Sequence, residues 1–308
     1  MKTSKGSALA WGGVLSAGML WGGGAVVGQS LLTEGMSPYS LALVRFTLGL
    51  PLLWWWHLRE PRRGAPTTWR ERGLVIGTGL MMALSVVSWF AGIAVLGAAL
   101  PTVIAICCAP VLVALVSVVR GFERMTRHTL LALCMALAGV AVMVYPATDE
   151  VLAPRYGAGI AWSFAAAVFQ AGVVLGNARM PAHVPASTAS AWGMTAAAAC
   201  MALVAFPRGL TWPCDAMGWL GVAYTGLVTT SIAYLLFAWG ARRLTPTAAV
   251  VGIMVEPLVA TLLEAWLFGR PLAPRQWLGA LTLVAALVPL TGRAAQRHTP
   301  GNEASGLP

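Results

Sequence analysis

The 308-residue chain is poor in charge: 10% of its residues are Asp, Glu, Lys or Arg, and only 10 of them are acidic. A soluble globular domain carries about 25% charged residues. That shortage, with 58% apolar residues and a mean hydropathy of +0.76, excludes a water-soluble fold and disorder alike. Reactive side chains are also scarce. The four histidines, His57, His128, His183 and His298, lie outside the apolar runs or at their very edge, so no imidazole is offered there to a metal or as a base. No Gly-x-x-x-x-Gly-Lys-Ser/Thr loop is present to cradle ATP, and no Gly-x-Ser-x-Gly elbow to present a nucleophilic serine. Cys107, Cys108, Cys134, Cys200 and Cys214 show neither disulfide nor zinc spacing. Neither an enzyme nor a resident cofactor or metal is expected.

What the chain has is long apolar runs. A helix needs roughly 20 residues to cross a bilayer core about 30 Å thick. Ten uncharged or nearly uncharged runs approach that length: 8–28, 38–58, 73–95, 98–119, 129–145, 156–178, 186–206, 216–239, 246–268 and 275–291. Backbone groups cannot stay unpaired in lipid, and these runs lack the alternation of barrel strands, so an all-α integral membrane protein of ten transmembrane helices is expected. The first run follows Lys2 and Lys5 and imitates a signal peptide, but its length and the nine runs behind it favour a retained helix. The connections are short, and residues 296–308 read as a disordered cytoplasmic tail.

The net charge of +10 is then a topological signal. Fifteen of the 20 basic residues fall on the side of the N-terminus, four (Arg155, Arg208, Arg270 and Arg275) on the other, and Arg45 within a run. Basic loops stay in the cytoplasm, so both termini are placed there, and a nucleic-acid partner is not expected.

The sequence also repeats itself. Gly24, Gly28 and Gln29 align with Gly172, Gly176 and Asn177 at an offset of 148; Ser85, Trp89, Pro101 and Thr102 align with Thr230, Tyr234, Pro246 and Thr247 at 145; Pro110 aligns with Pro257 at 147. Residues 1–150 and 151–295 thus form two five-helix halves, and an odd number of spans inserts the second upside down relative to the first. Inverted repeats are the design of secondary transporters, with a substrate site near the midplane between the halves.

The opening stretch, with Trp21-Gly22, Pro38 and Arg45-Phe46, and the closing Glu256-Pro257-Leu258-Val259-Ala260 through Leu267-Phe268-Gly269 resemble the EamA-type members of the drug/metabolite transporter superfamily over about residues 8–292. The resemblance implies a bacterial inner-membrane carrier, usually an exporter of amino acids, related metabolites or toxic compounds. The chain has Gly269-Arg270 where the family commonly carries Gly-Glu, so a role tied to that acid is not carried over.

Glu256 is the most informative position: at 1.5 Å per residue from Pro246 it lies about 15 Å into the bilayer. A carboxylate at that depth costs at least about 2.5 kcal/mol and faces a partner or an aqueous cavity. Three readings stand: a structural ion pair or hydrogen bond, a contact to a substrate amine, and a proton-coupling acid. Arg45, about 10 Å deep by the same arithmetic, is the partner for the first, and exchanging the two charges should then rescue what either single variant loses. Ser85, Ser88, Trp89 and Gly92 share one helical face, Thr230 and Tyr234 repeat it, Gln170 and Asn177 lie seven apart, and Trp21 joins them. Trp21, Ser85, Trp89, Gln170, Tyr234 and Glu256 are the candidate substrate contacts. Pro110 and Pro257 free the carbonyls of Ile106 and Ile253 and are candidate hinges. Gly24/Gly28 and Gly172/Gly176 read as close-packing pairs, and Trp54, Trp55 and Trp56 as an interfacial belt.

The expected protein is a secondary transporter, an exporter of small amino-acid-like or amphipathic solutes, with lipid and its substrate as partners. A non-transporting scaffold or an intramembrane enzyme using Glu256 as its acid is the competing reading.

Overall fold

The computed structural model describes residues 2–59, 66, 68–96, 99–121, 126–144, 156–267 and 274–287, and among them the chain is all-helical. The first helices are α1 (Lys2–Thr33), α2 (Pro38–Arg59), α3 (Trp69–Leu96), α4 (Ala99–Val119), α5 (Arg127–Val144), α6 (Tyr156–Arg179) and α7 (Ala186–Ala205). One apolar span follows as α8 (Ala216–Ala223), a π-helical stretch Tyr224–Ile232 and α9 (Ala233–Ala241); then come α10 (Pro246–Ile253), α11 (Val255–Leu267) and α12 (Pro274–Leu287).

Local chemistry sets the ends of these helices. Gly35, at φ 101°, closes α1: its N–H reaches Leu32 and that of Met36 reaches Leu31, the paired bonds of a left-handed C-terminal turn. Ser37 caps α2 through the N–H of Ser40, with Pro38 at the first helical position. Thr68 and Glu71 exchange reciprocal bonds at the start of α3. Asp215 and Thr245 cap α8 and α10.

Among the described residues, seven helical segments are long and apolar enough to cross a membrane: Ala8–Thr33, Pro38–Arg59, Trp69–Val95, Gly157–Arg179, Ala186–Arg208, Ala216–Ala241 and Pro246–Leu263. Shorter apolar helices, Ile104–Val119, Arg127–Gly139 and Trp277–Ala286, stand where the fourth, fifth and tenth runs were expected. The expected boundary at 150/151, the pair Gly269-Arg270 and the tail 296–308 lie outside the described residues.

Helices pair across the chain rather than along it. α3 packs along α6 and α7, α2 along α7 and the π-helical stretch, α1 along α9 and α11, and α5 along α12. Glycines make the closest crossings possible, because lipid offers no hydrophobic drive and van der Waals contact must hold helices together. Gly172 and Gly176 of α6 face Met81 and Thr78 of α3. Gly79 of α3 meets the backbone of Gly193 in α7 so closely that a Cβ on Gly79 would fall onto that backbone. On α1, a Cβ on Gly18 or Gly22 would come within 3.1 Å of the Ile253 carbonyl or 2.6 Å of the Glu256 carbonyl.

Of the three consecutive tryptophans, Trp55 fits the interfacial belt: it is exposed, with the Arg59 guanidinium 4.2 Å from its ring centre. Trp54 departs from it. Its Nε1–H donates to Thr195 Oγ1 at 3.0 Å and its ring meets Trp192 edge-on, so it joins α2 to α7.

Candidate functional site

A cavity of about 120 Å³ lies among α1, α2, α3, α4, α6, the π-helical stretch, α10 and α11. Trp21, Arg45, Ser85, Trp89, Pro110, Gln170 and Glu256 line it, alongside Gly24, Met82, Val86, Ile106, Thr229, Val250 and Met254. Five of the six expected substrate contacts therefore meet at one place, although residues 21 and 256 are far apart in sequence. Tyr234 does not line the cavity. It is fully buried, receives a hydrogen bond from Asn177 Nδ2 at 3.3 Å and packs on Phe237, linking α6 to α9.

The polar part of the wall is built by the π-helical stretch. Ala233 donates its N–H back five residues to Val228. An α-helix would have used the carbonyl of Thr229, which the wider turn releases instead. Trp21 Nε1–H takes that carbonyl at 2.8 Å, which fixes the indole at the cavity wall. Arg45 is brought to the same place by a close crossing one turn further along α2, where Ser231 Oγ–H donates to the Gly49 carbonyl at 2.8 Å and a Cβ on Gly49 would stand 3.0 Å from the Gly226 carbonyl.

The direct Arg45–Glu256 ion pair, one of the three readings of Glu256, is not among the contacts of the described residues. Arg45 donates from Nε to Thr230 Oγ1 and from Nη2 to Thr229 Oγ1, both at 3.1 Å. Glu256 has no hydrogen-bond or ion-pair partner among the described residues and is half-buried at the cavity wall. Arg45 is the charge that acts on it, across the cavity. The physical reason is local. The close crossing at Gly49 sets the guanidinium against the hydroxyls of Thr229 and Thr230, which take its Nη2 and Nε.

Ser85 Oγ–H is shared between the Ala166 carbonyl at 3.1 Å and Gln170 Oε1 at 3.3 Å, tying α3 to α6 and holding the Gln170 amide at the wall. The two prolines differ. α4 runs unbroken through Pro110, whereas the helix containing Pro257 breaks at Met254. The carbonyl that Pro257 cannot serve, that of Ile253, faces the side-chain-free surface of Gly18. Thr229 and the π-helical turn escape a pattern reading, because they depend on a backbone register; the dense hydroxyls at Thr225, Thr229, Thr230 and Ser231 inside an apolar span are the signal that marks them.

Comparison with known proteins follows the same span of chain. The profile of the EamA-like transporter family matches residues 8–145 and 157–291. The chain belongs to the EamA-like transporter family. It is a multi-pass membrane protein of a transporter family, and the cavity lies within the matched stretches. A relative from Bacillus subtilis (strain 168), described as the uncharacterized transporter YwfM, is 27% identical over 288 residues, 93% of this chain and 95% of that protein. An uncharacterized transporter of Archaeoglobus fulgidus is 28% identical over 215 residues, 70% of this chain and 74% of that protein. A crystal structure at 23% identity, covering 94% of this chain and 96% of its own, superposes with a TM-score of 0.76, which shows a shared fold alone.

Proposed function

We propose that this EamA-family protein is a secondary carrier that exports small amino-acid-like or amphipathic solutes across a bacterial inner membrane. In this reading it is not an enzyme, and both termini are cytoplasmic. Residues 1–150 and 151–295 act as oppositely oriented five-helix halves, and the cavity between them opens alternately to each side. The observation that carries this reading is the mixed origin of the cavity wall: Trp21, Arg45, Ser85 and Trp89 come from the first half, and Gln170, Thr229 and Glu256 from the second. A site at the interface of halves is what alternating access requires. Two separate stretches of family match support the same division.

Glu256 serves in this reading as the contact for a substrate amine, and its lack of a partner among the described residues supports that over a structural ion pair. A role as a proton-coupling acid is the second reading of the same carboxylate. The open cavity and the free carboxylate also speak against a scaffold, which would pack its interior tightly.

Pro257 and the break at Met254 are proposed as the hinge of the second half. Pro257→Ala restores a donor for the Ile253 carbonyl, so we expect the span to straighten, the unfolding temperature to hold or rise, and flux to fall several-fold. Flux at the level of the unmodified protein would remove the hinge. Pro110→Ala, in an unbroken helix, should cost less.

The deciding experiment pairs thermal unfolding in mild detergent with flux in reconstituted vesicles, across amino acids, metabolites and toxic amphiphiles. A ligand bound only by the folded state at 100 times its Kd adds about 2.7 kcal/mol. One chemical class should both stabilise the protein and cross the vesicle membrane, and Trp89→Ala should weaken both. Folded protein that moves no member of the panel would favour the non-transport reading.

A further inference from the structure

Arg45 is 7% exposed, and a cation buried that deeply at membrane depth needs its hydrogen bonds satisfied or a ligand to satisfy them. Its five N–H groups are only partly used. Thr230 and Thr229 take the side-on pair, Nε and Nη2. The end-on pair, Nη1 with the second hydrogen of Nη2, has no partner among the described residues, and Arg45 lines the cavity.

The two threonines are themselves locked. Thr229 Oγ–H donates to the Thr225 carbonyl at 2.6 Å, and Thr230 Oγ–H donates to the same carbonyl at 2.9 Å. Each hydroxyl has one proton, so both oxygens can only accept from Arg45. Neighbouring side chains diverge by about 100° around an α-helix. The wider turn of Tyr224–Ile232 lessens that divergence and lets residues four and five positions on converge on one carbonyl.

We propose that Arg45 is the anion-binding end of the cavity, held there by the hydroxyls of Thr229 and Thr230, and that the carried solute presents a carboxylate to its end-on fork. This rests on reading the cavity as the substrate site. A carboxylate fits because two parallel N–H donors match its two oxygens, a geometry that a single ammonium cannot offer. Glu256, which lines the same cavity across from Arg45, keeps the anion to the Arg45 end by repulsion and attracts a cationic group to its own. Thr229 and Thr230 are positioning residues: they touch the guanidinium rather than the solute.

The test compares leucine and phenylalanine with leucinamide and phenylalaninamide, using the purified full chain in mild detergent and reading thermal stabilisation against concentration. Each pair shares its ammonium and side chain and differs in the carboxylate alone. The acids should bind at least about tenfold more tightly than their amides. Arg45→Gln should erase that preference. Thr229→Val with Thr230→Val should reduce it several-fold, while Thr229→Ser with Thr230→Ser restores it, which a role in packing alone would not produce. If Arg45→Gln does not fold, the threonine variants decide. Equal binding of acids and amides, no binding of either acid, or full acid preference in the valine pair would overturn the assignment. Acid-selective binding without flux in vesicles would refute the carrier reading and leave the anion site standing; flux of uncharged solutes with no acid preference would do the reverse.

Discussion

Gly79→Leu is expected to leave almost no folded protein, whereas Gly77→Leu, two residues away on the same helix, is expected to be tolerated. A Cβ at residue 79 would land on the Gly193 backbone, and backbone cannot turn aside as a side chain can. A Cβ at residue 77 meets nothing within 4 Å. Overpacking a core costs about 1–3 kcal/mol when side chains absorb it. Here α3 and α7 must separate, which breaks the packing that holds them together without hydrophobic help in lipid. Even Gly79→Ala should cost about 3 kcal/mol or more. The monodisperse fraction after detergent extraction and the unfolding temperature measure this. A well-folded Gly79→Leu protein would mean that the α3–α7 crossing is looser than described.

The second large effect separates function from stability. Glu256→Gln should lower flux at least tenfold while shifting unfolding free energy by less than about 1 kcal/mol, because two terms oppose each other. Removing a carboxylate at membrane depth relieves a cost of at least about 2.5 kcal/mol. It also removes the attraction to Arg45, which acts without direct contact and so weakens with distance. Had Glu256 been half of a tight buried pair, its loss would cost about 3–5 kcal/mol. Unfolding measurements on the variant, beside vesicle flux, distinguish the two cases. For the same reason, Arg45→Glu with Glu256→Arg should fail to rescue, since a glutamate at position 45 would set its oxygens against hydroxyls that have no proton left to give it. Recovery of flux in the exchanged protein would restore the ion-pair reading.

Residues that meet in the cavity were legible one by one, because each breaks the rule of its surroundings. A carboxylate, a guanidinium, an amide and two indoles inside apolar runs stand out by their cost in lipid, and the repeat at offsets of 145–148 aligns several of them. Tyr234 follows the same logic to a different place: it aligns with Trp89 in the repeat, yet its hydroxyl accepts from Asn177 and it does not line the cavity. Periodicity tells which residues share a helical face. It cannot tell which neighbour that face meets.

The amino-acid sequence by itself determined the environment, the apolar helices and their ends, and the membership of its most costly residues in a common interior. Those properties follow from composition, run length and capping chemistry, which act over a few residues. Tertiary structure decided who pairs with whom. Arg45 lies on two threonines instead of on Glu256 because the Gly49 crossing with Gly226 delivers its side chain to them, and Thr229 offers both a hydroxyl and a released carbonyl because its helix widens there. Such choices depend on Å-scale approaches between segments some 180 residues apart, and no local pattern encodes them.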